Sequence, residues 1–272
     1  MSRLAALLAA AVLVVPTMLS AQKSDDEWLQ DCRESWGDRY VRARHCEIRE
    51  TGLKATRQTL TVDPGMNGGV EIVGWDDDSI AITARIQVSA RSEEDAEAIA
   101  RDIRIEAADA RVRASGPGPL GRNQWWSVSF VVYVPRRTDL ALATENGPLS
   151  VRDVAGRMEL STQNGPLSLS NVGGDVHARA QNGPLLVKLM GSRWEGAGLD
   201  AETRNGPASL RIPESYNAKI EFGTVNGPMS IGFPLTVTLS GRVTDRISTT
   251  LGDGGAPIRV VTTNGPMIVQ RR

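Results

Sequence analysis

Between residues 140 and 270, apolar and polar residues alternate with a period of two, and one tripeptide interrupts the alternation six times. Asn-Gly-Pro begins at Asn146, Asn164, Asn182, Asn205, Asn226 and Asn264, with gaps of 18, 18, 23, 21 and 38 residues. Three residues after each Asn stand Leu149, Leu167, Leu185, Ala208, Met229 and Met267; five after stand Val151, Leu169, Val187, Leu210, Ile231 and Val269. Apolar residues two apart mark a strand with one buried face. Two residues before the Asn, every copy has Thr except the third, which has Ala180. In the two tightest repeats the alternation resumes after a break, at Val154, Met158 and Leu160 and at Val172, Val176 and Ala178, with Gly156 and Gly174 at the same offset. Each unit reads as strand, turn, strand, turn.

A unit this small cannot bury its own apolar face, whereas stacked units can, with Leu on Leu and Val on Val. The pattern therefore predicts an all-β fold, a parallel β-solenoid (β-helix-like) with rungs of about 18–21 residues. Asn and Thr at fixed positions predict side-chain ladders along the stack. The tripeptide reads as a corner: Asn and Gly for left-handed backbone angles, Pro for the strand entry. A chain of antiparallel hairpins is the alternative, since Asn-Gly also closes hairpins. The last gap of 38 residues reads as two rungs, the motif of one having decayed near Gly252–Pro257.

The region before the regular repeats is less uniform. Asn67-Gly68-Gly69 with Val70 and Ile72 is a degenerate first copy, and Ile80 to Ala90 alternates as a long strand. Ser92 with Asp95 caps an accessory helix striped by Ala96, Ile99, Ala100 and Ile103. A loop follows at 116–121, then a strand with Val128, Phe130, Val132 and Val134 on one face, closed by Pro135. Trp28, Cys32 and Trp36 share one helical face in a short N-terminal cap. The organisation is a signal peptide over 1–21, a disulfide-stapled cap over 22–60 and one solenoid domain over 61–272, irregular to 139 and regular from 140.

The signal peptide rests on Arg3, the apolar run Leu4 to Val15 and Leu19-Ser20-Ala21. That run is short for a bilayer span, and no second apolar stretch occurs, so the mature chain is expected to be exported without a transmembrane segment. Without residues 1–21, which hold one Arg and no acid, the net charge moves from −1 to −2. No basic patch suggests nucleic acid. Cys32 and Cys46, the two cysteines, read as one disulfide in an oxidising compartment.

Asn67-Gly68-Gly69-Val70, Gly74-Trp75-Asp76, the helix Asp95 to Ala100, Trp126-Ser127-Val128 leading to Val134-Pro135, and the Asn-Gly repeats go together with Arg193-Trp194, Gly198-Leu199 and Gly254-Gly255-Ala256-Pro257 before Thr263-Asn264-Gly265. In this combination the chain resembles a bacterial family of exported β-strand-repeat proteins of unknown function, labelled "putative adhesin". The resemblance covers about residues 45 to 270. It implies a right-handed parallel β-helix-like stack outside the cytoplasm and brings no catalytic residues with it.

Chemistry is sparse along the chain. His45 and His177 are the two histidines, and His177 alternates with Asp175 and Arg179 on a solvated face. No metalloprotease, nucleophile-elbow or phosphate-loop motif occurs. Asp76-Asp77-Asp78 holds oxygen donors suited to Ca²⁺, but a solvated turn explains it, and so too Asp253; no metal or other cofactor is expected. Trp75 at a turn and Trp194 in the insertion that lengthens the third repeat are the candidate ligand-binding residues, as platforms for sugars. The final strand, ending at Val269, is expected to leave an open edge guarded by Arg271 and Arg272. These features favour a non-enzymatic envelope or surface protein, an adhesin-like scaffold presenting a rigid face to polysaccharide or envelope protein. A carbohydrate-active enzyme on a β-helix and a periplasmic protein-interaction scaffold or sensor accessory are the alternatives. The location is the periplasm, cell surface or medium.

Overall fold

The computed structural model describes residues 24–34, 43–234 and 246–271. The predicted leader, Trp36 and Arg272 lie outside these residues. In chain order the elements are α1 (Asp25–Glu34), β1 (Ala43–Lys54), β2 (Leu60–Asp63), β3 (Val70–Trp75), β4 (Ser79–Ala90), α2 (Glu93–Asp102), β5 (Arg104–Ala108), β6 (Arg111–Ser115), β7 (Trp125–Pro135), β8 (Leu140–Asn146), β9 (Leu149–Arg152), β10 (Ala155–Asn164), β11 (Leu167–Ser170), β12 (Gly173–Asn182), β13 (Leu185–Lys188), β14 (Gly198–Asn205), β15 (Ala208–Ile212), β16 (Ala218–Asn226), β17 (Met229–Ile231), β18 (Arg246–Leu251), β19 (Pro257–Asn264) and β20 (Met267–Arg271).

The strands form two ten-stranded sheets. The first runs β1-β4-β7-β3-β9-β11-β13-β15-β20-β17, the second β18-β16-β19-β14-β12-β10-β8-β2-β6-β5. Each Asn-Gly-Pro corner carries the chain from a strand of the second sheet into one of the first. Successive copies pair in parallel and in register, Leu149 beside Leu167 beside Leu185 beside Ala208 in one sheet, Leu142 beside Leu160 beside Ala178 beside Ala201 in the other. Parallel pairing overturns the hairpin alternative for these repeats. The apolar rows of both sheets face inward and form one core from Leu60 to Val269. A fully buried Leu or Val side chain contributes about 1.5–3 kcal/mol, so the repeated inward rows dominate the stability.

The corner has a different physical basis from the one the sequence suggested. None of the six motif Asn residues has a positive φ. Their side chains instead form a ladder on the surface. The amide of Asn164 donates to Asn146 (2.9 Å), Asn182 to Asn164 (2.9 Å), Asn205 to Asn182 (2.9 Å), Asn264 to Asn205 (2.8 Å) and Asn226 to Asn264 (2.8 Å). Gly is required by close approach. A Cβ on Gly147, Gly165, Gly183, Gly206, Gly265 or Gly227 would lie 2.0–2.3 Å from the carbonyl oxygen of the glycine one rung before it. Pro then has no N–H to offer that carbonyl, and the buried Thr supplies the donor. Thr162 donates to Gly147 O (3.3 Å), Thr203 to Gly183 O, Thr262 to Gly206 O and Thr224 to Gly265 O (2.8 Å each). Ala180 stands where the hydroxyl serving Gly165 would be. Positive φ occurs at two of the motif glycines, Gly206 (159°) and Gly265 (152°), and among non-glycine residues in the second corner, at Asp153 (φ 59°) and Asn171 (φ 53°), whose side chains are 2.6 Å apart.

The expected all-parallel stack is corrected at both ends, where the sheets are mixed. β1, β4 and β7 pair antiparallel, as do β5 with β6 and β16 with β18. The chain also fills the stack out of order. β2 and β3 lie between β6/β7 and β8/β9, and β19 and β20 lie between β14/β15 and β16/β17. The last rung in sequence is thus interior, and β20 pairs on both sides. This overturns the expectation of an open edge at Val269; Arg271 packs over the Phe233 ring at 4.6 Å. The 38-residue gap holds the antiparallel β18, and Gly252–Ala256 turns from it into β19 rather than closing a decayed rung.

The N-terminal end is closed by local chemistry. Ser92 Oγ accepts from Asp95 N (3.1 Å) at the start of α2, which buries Ala96, Ile99 and Ala100. Arg49 of β1 donates to the carbonyls of Ala100 (2.8 Å) and Ile103 (2.5 Å) at the other end. Cys32 of α1 is disulfide-bonded to Cys46 of β1, and Arg85 holds Asp25 at 2.8 Å. Closing a loop of this size is worth about 3 kcal/mol in the chain-entropy account.

These corners predict the cost of specific changes. Gly165→Ala should lose about 1–3 kcal/mol or more from overpacking against backbone, while Gly232→Ala, whose added Cβ would lie 3.5 Å from Val269 O, should be close to neutral. Thr203→Val should lose about 1–3 kcal/mol by leaving Gly183 O unserved, and Ala180→Thr should gain about 0.5–1.5 kcal/mol. Urea denaturation of the four variants measures both effects.

Candidate functional site

The two tryptophans singled out from sequence differ sharply. Trp194 is buried, 6% exposed, and its indole N–H donates to Gly174 O at 3.0 Å. It seals the insertion onto the stack and offers no face to a sugar, so its environment speaks against the expected binding role. Trp75 is half-buried on the outer face of the first sheet, with Nε1 donating to Ser79 O (2.9 Å) and its ring 5.4 Å from that of Tyr133 at 38°. Trp75 is thus partly exposed on this face.

The acid run does not converge. Arg136 grips both oxygens of Asp76 (2.6 and 3.1 Å), and Asp77 accepts from Ser79 N (2.8 Å). The hydrogen bond from Arg136 holds the Asp76 carboxyl below its usual value. No group of three His, Cys, Asp or Glu residues suited to a metal occurs among the described residues. His45 lies 3.1 Å from Glu47, and His177 3.4 Å from Asp175.

On the outer face of the second sheet, register places Glu159, His177, Asp200, Arg259 and Glu221 in one row across five strands. Signs alternate where it matters. Arg259 bonds Asp200, and approaches Glu202 (3.4 Å) and Glu221 (3.5 Å). Arg179 holds Glu202 at 3.1 Å and Arg246 lies 3.6 Å from Glu221. Partial burial works against the Arg259 charge, but Asp200 and Glu202 outweigh it and raise its pKa. Inserting β19 is what brings this cation between the acids of β14 and β16.

The outer face of the first sheet is arranged otherwise. One row reads Tyr133, Val73, Arg152, Ser170, Lys188, Arg211, Gln270 across seven adjacent strands. The neighbouring row reads Glu71, Ser150, Ser168, Leu186, Ser209, Ile268. Glu71 lies 3.4 Å from Arg152. Lys188 and Arg211 have no ion-pair partner among the described residues, and Leu186 beside them is 43% exposed. The result is a flat strip with an aromatic pair at one end and cations at the other. At about 4.8 Å per strand it spans about 24 Å from Tyr133 to Arg211. Sequence reasoning found Trp75 but missed the cations, because Lys188 and Arg211 become neighbours, and share a row with Arg152, only through inter-rung register.

A depression of about 530 Å³ follows the second corner, lined by Arg57, Arg137, Asp139, Gly156, Glu195 and Gly196. A Cβ on Gly156 would meet Thr138 O at 2.4 Å, and one on Gly174 would meet Gly156 O at 2.0 Å, so backbone stacking shapes this side too.

Residues 137–270 match the family model described as Toastrack DUF4097. This repeat region is similar to the Toastrack family. The matched segment begins just before β8, so it contains every Asn-Gly-Pro corner and most of the strip. The fold resembles the crystal structure of a "putative cell adhesion protein" from Clostridium sporogenes ATCC 15579, over 85% of this chain and 100% of that one, with 12% identity and a TM-score of 0.46. A "putative adhesin" from Bacteroides fragilis NCTC 9343 aligns over 83% of this chain and 97% of its own, at 12% identity and a TM-score of 0.32. Another from Parabacteroides distasonis ATCC 8503 aligns over 82% and 97%, at 8% identity and a TM-score of 0.30. Comparison with curated proteins gives no match. No helix among the described residues is long and apolar enough to cross a membrane.

Two outcomes follow from the site geometry. Trp194→Ala should lose about 3–5 kcal/mol, as large core deletions do, whereas Trp75→Ala at a half-exposed site should lose clearly less; thermal melts compare them. Burial pushes the Tyr216 phenol up to about 12. Because an unfolded tyrosine ionises near 10, the folded state holds the proton longer, so this contribution to stability is complete below pH about 10 and is lost as pH rises toward about 12. An absorbance titration should show a late tyrosine step that Tyr216→Phe removes.

Proposed function

We propose that the chain is an exported, non-enzymatic β-solenoid, an adhesin-like scaffold that holds a partner along the outer face of its first sheet. The observation that carries this reading is the strip from Trp75 and Tyr133 to Lys188 and Arg211, whose side chains are spaced by the strands of a rigid sheet. A flat sheet presents such groups without rearrangement, which lowers the ordering cost of binding. Export is supported by the apolar run Leu4 to Val15 and by the Cys32–Cys46 disulfide, which persists in oxidising compartments.

The enzyme alternative needs two carboxylates facing each other across a cleft. The acids that share a face, Asp200, Glu202 and Glu221, are instead tied to Arg259, Arg179 and Arg246 on an open sheet. That arrangement favours structure over acid–base chemistry.

The test is incubation of the purified protein with a panel of bacterial and host polysaccharides, scoring retention and chain shortening together. Retention without shortening, weakened by Trp75→Ala, is the expected result. Shortening of any polymer would overturn the non-enzymatic reading. Silence on both counts, with an envelope protein recovered by crosslinking, would move the partner class to protein.

A further inference from the structure

Resting on that scaffold reading, we propose that the strip is a binding site for an acidic polysaccharide, with Lys188 and Arg211 meeting its carboxylate or sulfate groups. The argument begins with the contrast between the two outer faces. On the second sheet, opposite charges are placed beside one another in register, Asp200 next to Arg259 next to Glu221. On the first sheet, Lys188 and Arg211 sit directly beside each other on adjacent strands. Like charges in register repel, and neither forms an ion pair among the described residues. Across β3, β9, β13 and β15 this face carries Arg152, Lys188 and Arg211 against the single acid Glu71. An anion bridging two adjacent cations removes the repulsion, and a polymer with an acidic group on its repeating unit supplies several at once.

The rest of the strip fits a sugar chain better than another polyanion. Ser168 and Ser209 flank the cations as hydroxyl partners, and Leu186 offers an exposed apolar surface between them. Trp75 and Tyr133 lie at the far end of the same face, where an aromatic ring can cover the apolar side of a pyranose. The face is the open outer surface of a sheet, so an extended polymer can lie across its strands without entering a cavity.

The experiment uses the full purified chain and three probes at about 0.15 M salt: polygalacturonate, neutral dextran and duplex DNA. Variants are the double Lys188→Glu/Arg211→Glu and, as a control on the opposite face, Arg204→Glu, an exposed arginine of β14. Thermal melts verify that each variant folds. We expect polygalacturonate to bind, the double variant to weaken it about tenfold or more, and Arg204→Glu to leave it near the original value. Raising salt toward about 1 M, where screening acts within about 3 Å, should also weaken it strongly. Binding equal in the double variant would overturn the site. Dextran bound as tightly as polygalacturonate would overturn the acidic preference while leaving the scaffold intact. Tighter binding of DNA would reassign the strip to nucleic acid. Shortening of polygalacturonate would instead overturn the scaffold reading on which the inference rests.

Discussion

The backbone contact at the Asn-Gly-Pro corner governs everything else in this molecule. A glycine carbonyl of one rung points at the Cα of the glycine in the next, with no room for a side chain between them. Such an approach fixes the axial position of each rung against its neighbour. It also sets a hydrogen-bonding problem, because Pro has no N–H to give that carbonyl. The buried threonine two residues before the Asn solves it in rung after rung. Asn adds an outer ladder whose amides all donate in the same direction along the stack. The four residue types are thus parts of one device for holding register, and the apolar rows beneath supply the bulk of the stability.

Register in turn arranges chemistry that no single repeat contains. Residues 23 or 59 positions apart in the chain become side-chain neighbours, as with Arg179 and Glu202 or Asp200 and Arg259. The same rule yields two faces of opposite character. One interlocks its charges and stabilises the stack; the other sets Lys188 beside Arg211, without an ion-pair partner among the described residues, on the same face as an aromatic pair. The out-of-order filling at both ends gives these faces their length, since β2/β3 and β19/β20 are enclosed by later or earlier rungs instead of fraying at the termini.

Much of the fold was legible in the sequence. The inward rows, the parallel stacking, the degenerate first rung at Asn67, the capped helix at Ser92 and the disulfide all follow from spacing and residue type. The corner was read correctly as a corner but largely for another physical reason: left-handed angles were expected of Asn and Gly, yet no motif Asn has a positive φ and of the motif glycines Gly206 and Gly265 do, so Asn is there for its side chain and Gly chiefly for its missing one. The interleaving of β19 and β20 was not legible, because every rung has nearly the same edge and the sequence does not say which edges meet. For the same reason the strip was only half visible. Trp75 was identifiable as an aromatic at a turn, but the company of Lys188 and Arg211 depends on inter-rung register. Trp194 misled because an insertion into a repeat suggests a binding loop, whereas its indole seals the insertion against Gly174.

Cysteine crosslinking of the outer row Ser209, Ile268 and Ser230 tests the account most directly, since it reports which rungs are neighbours. In the interleaved order Ile268 lies between the two serines. Adjacent strands are about 4.8 Å apart, within the span of about 4.4–6.8 Å that a disulfide bridges, while two strand spacings exceed it. The pairs Ser209→Cys/Ile268→Cys and Ile268→Cys/Ser230→Cys should therefore oxidise readily, and Ser209→Cys/Ser230→Cys should stay reduced. A disulfide forming in the third pair and not in the first would mean that the last rung lies outside the stack, and would contradict the register on which both faces depend.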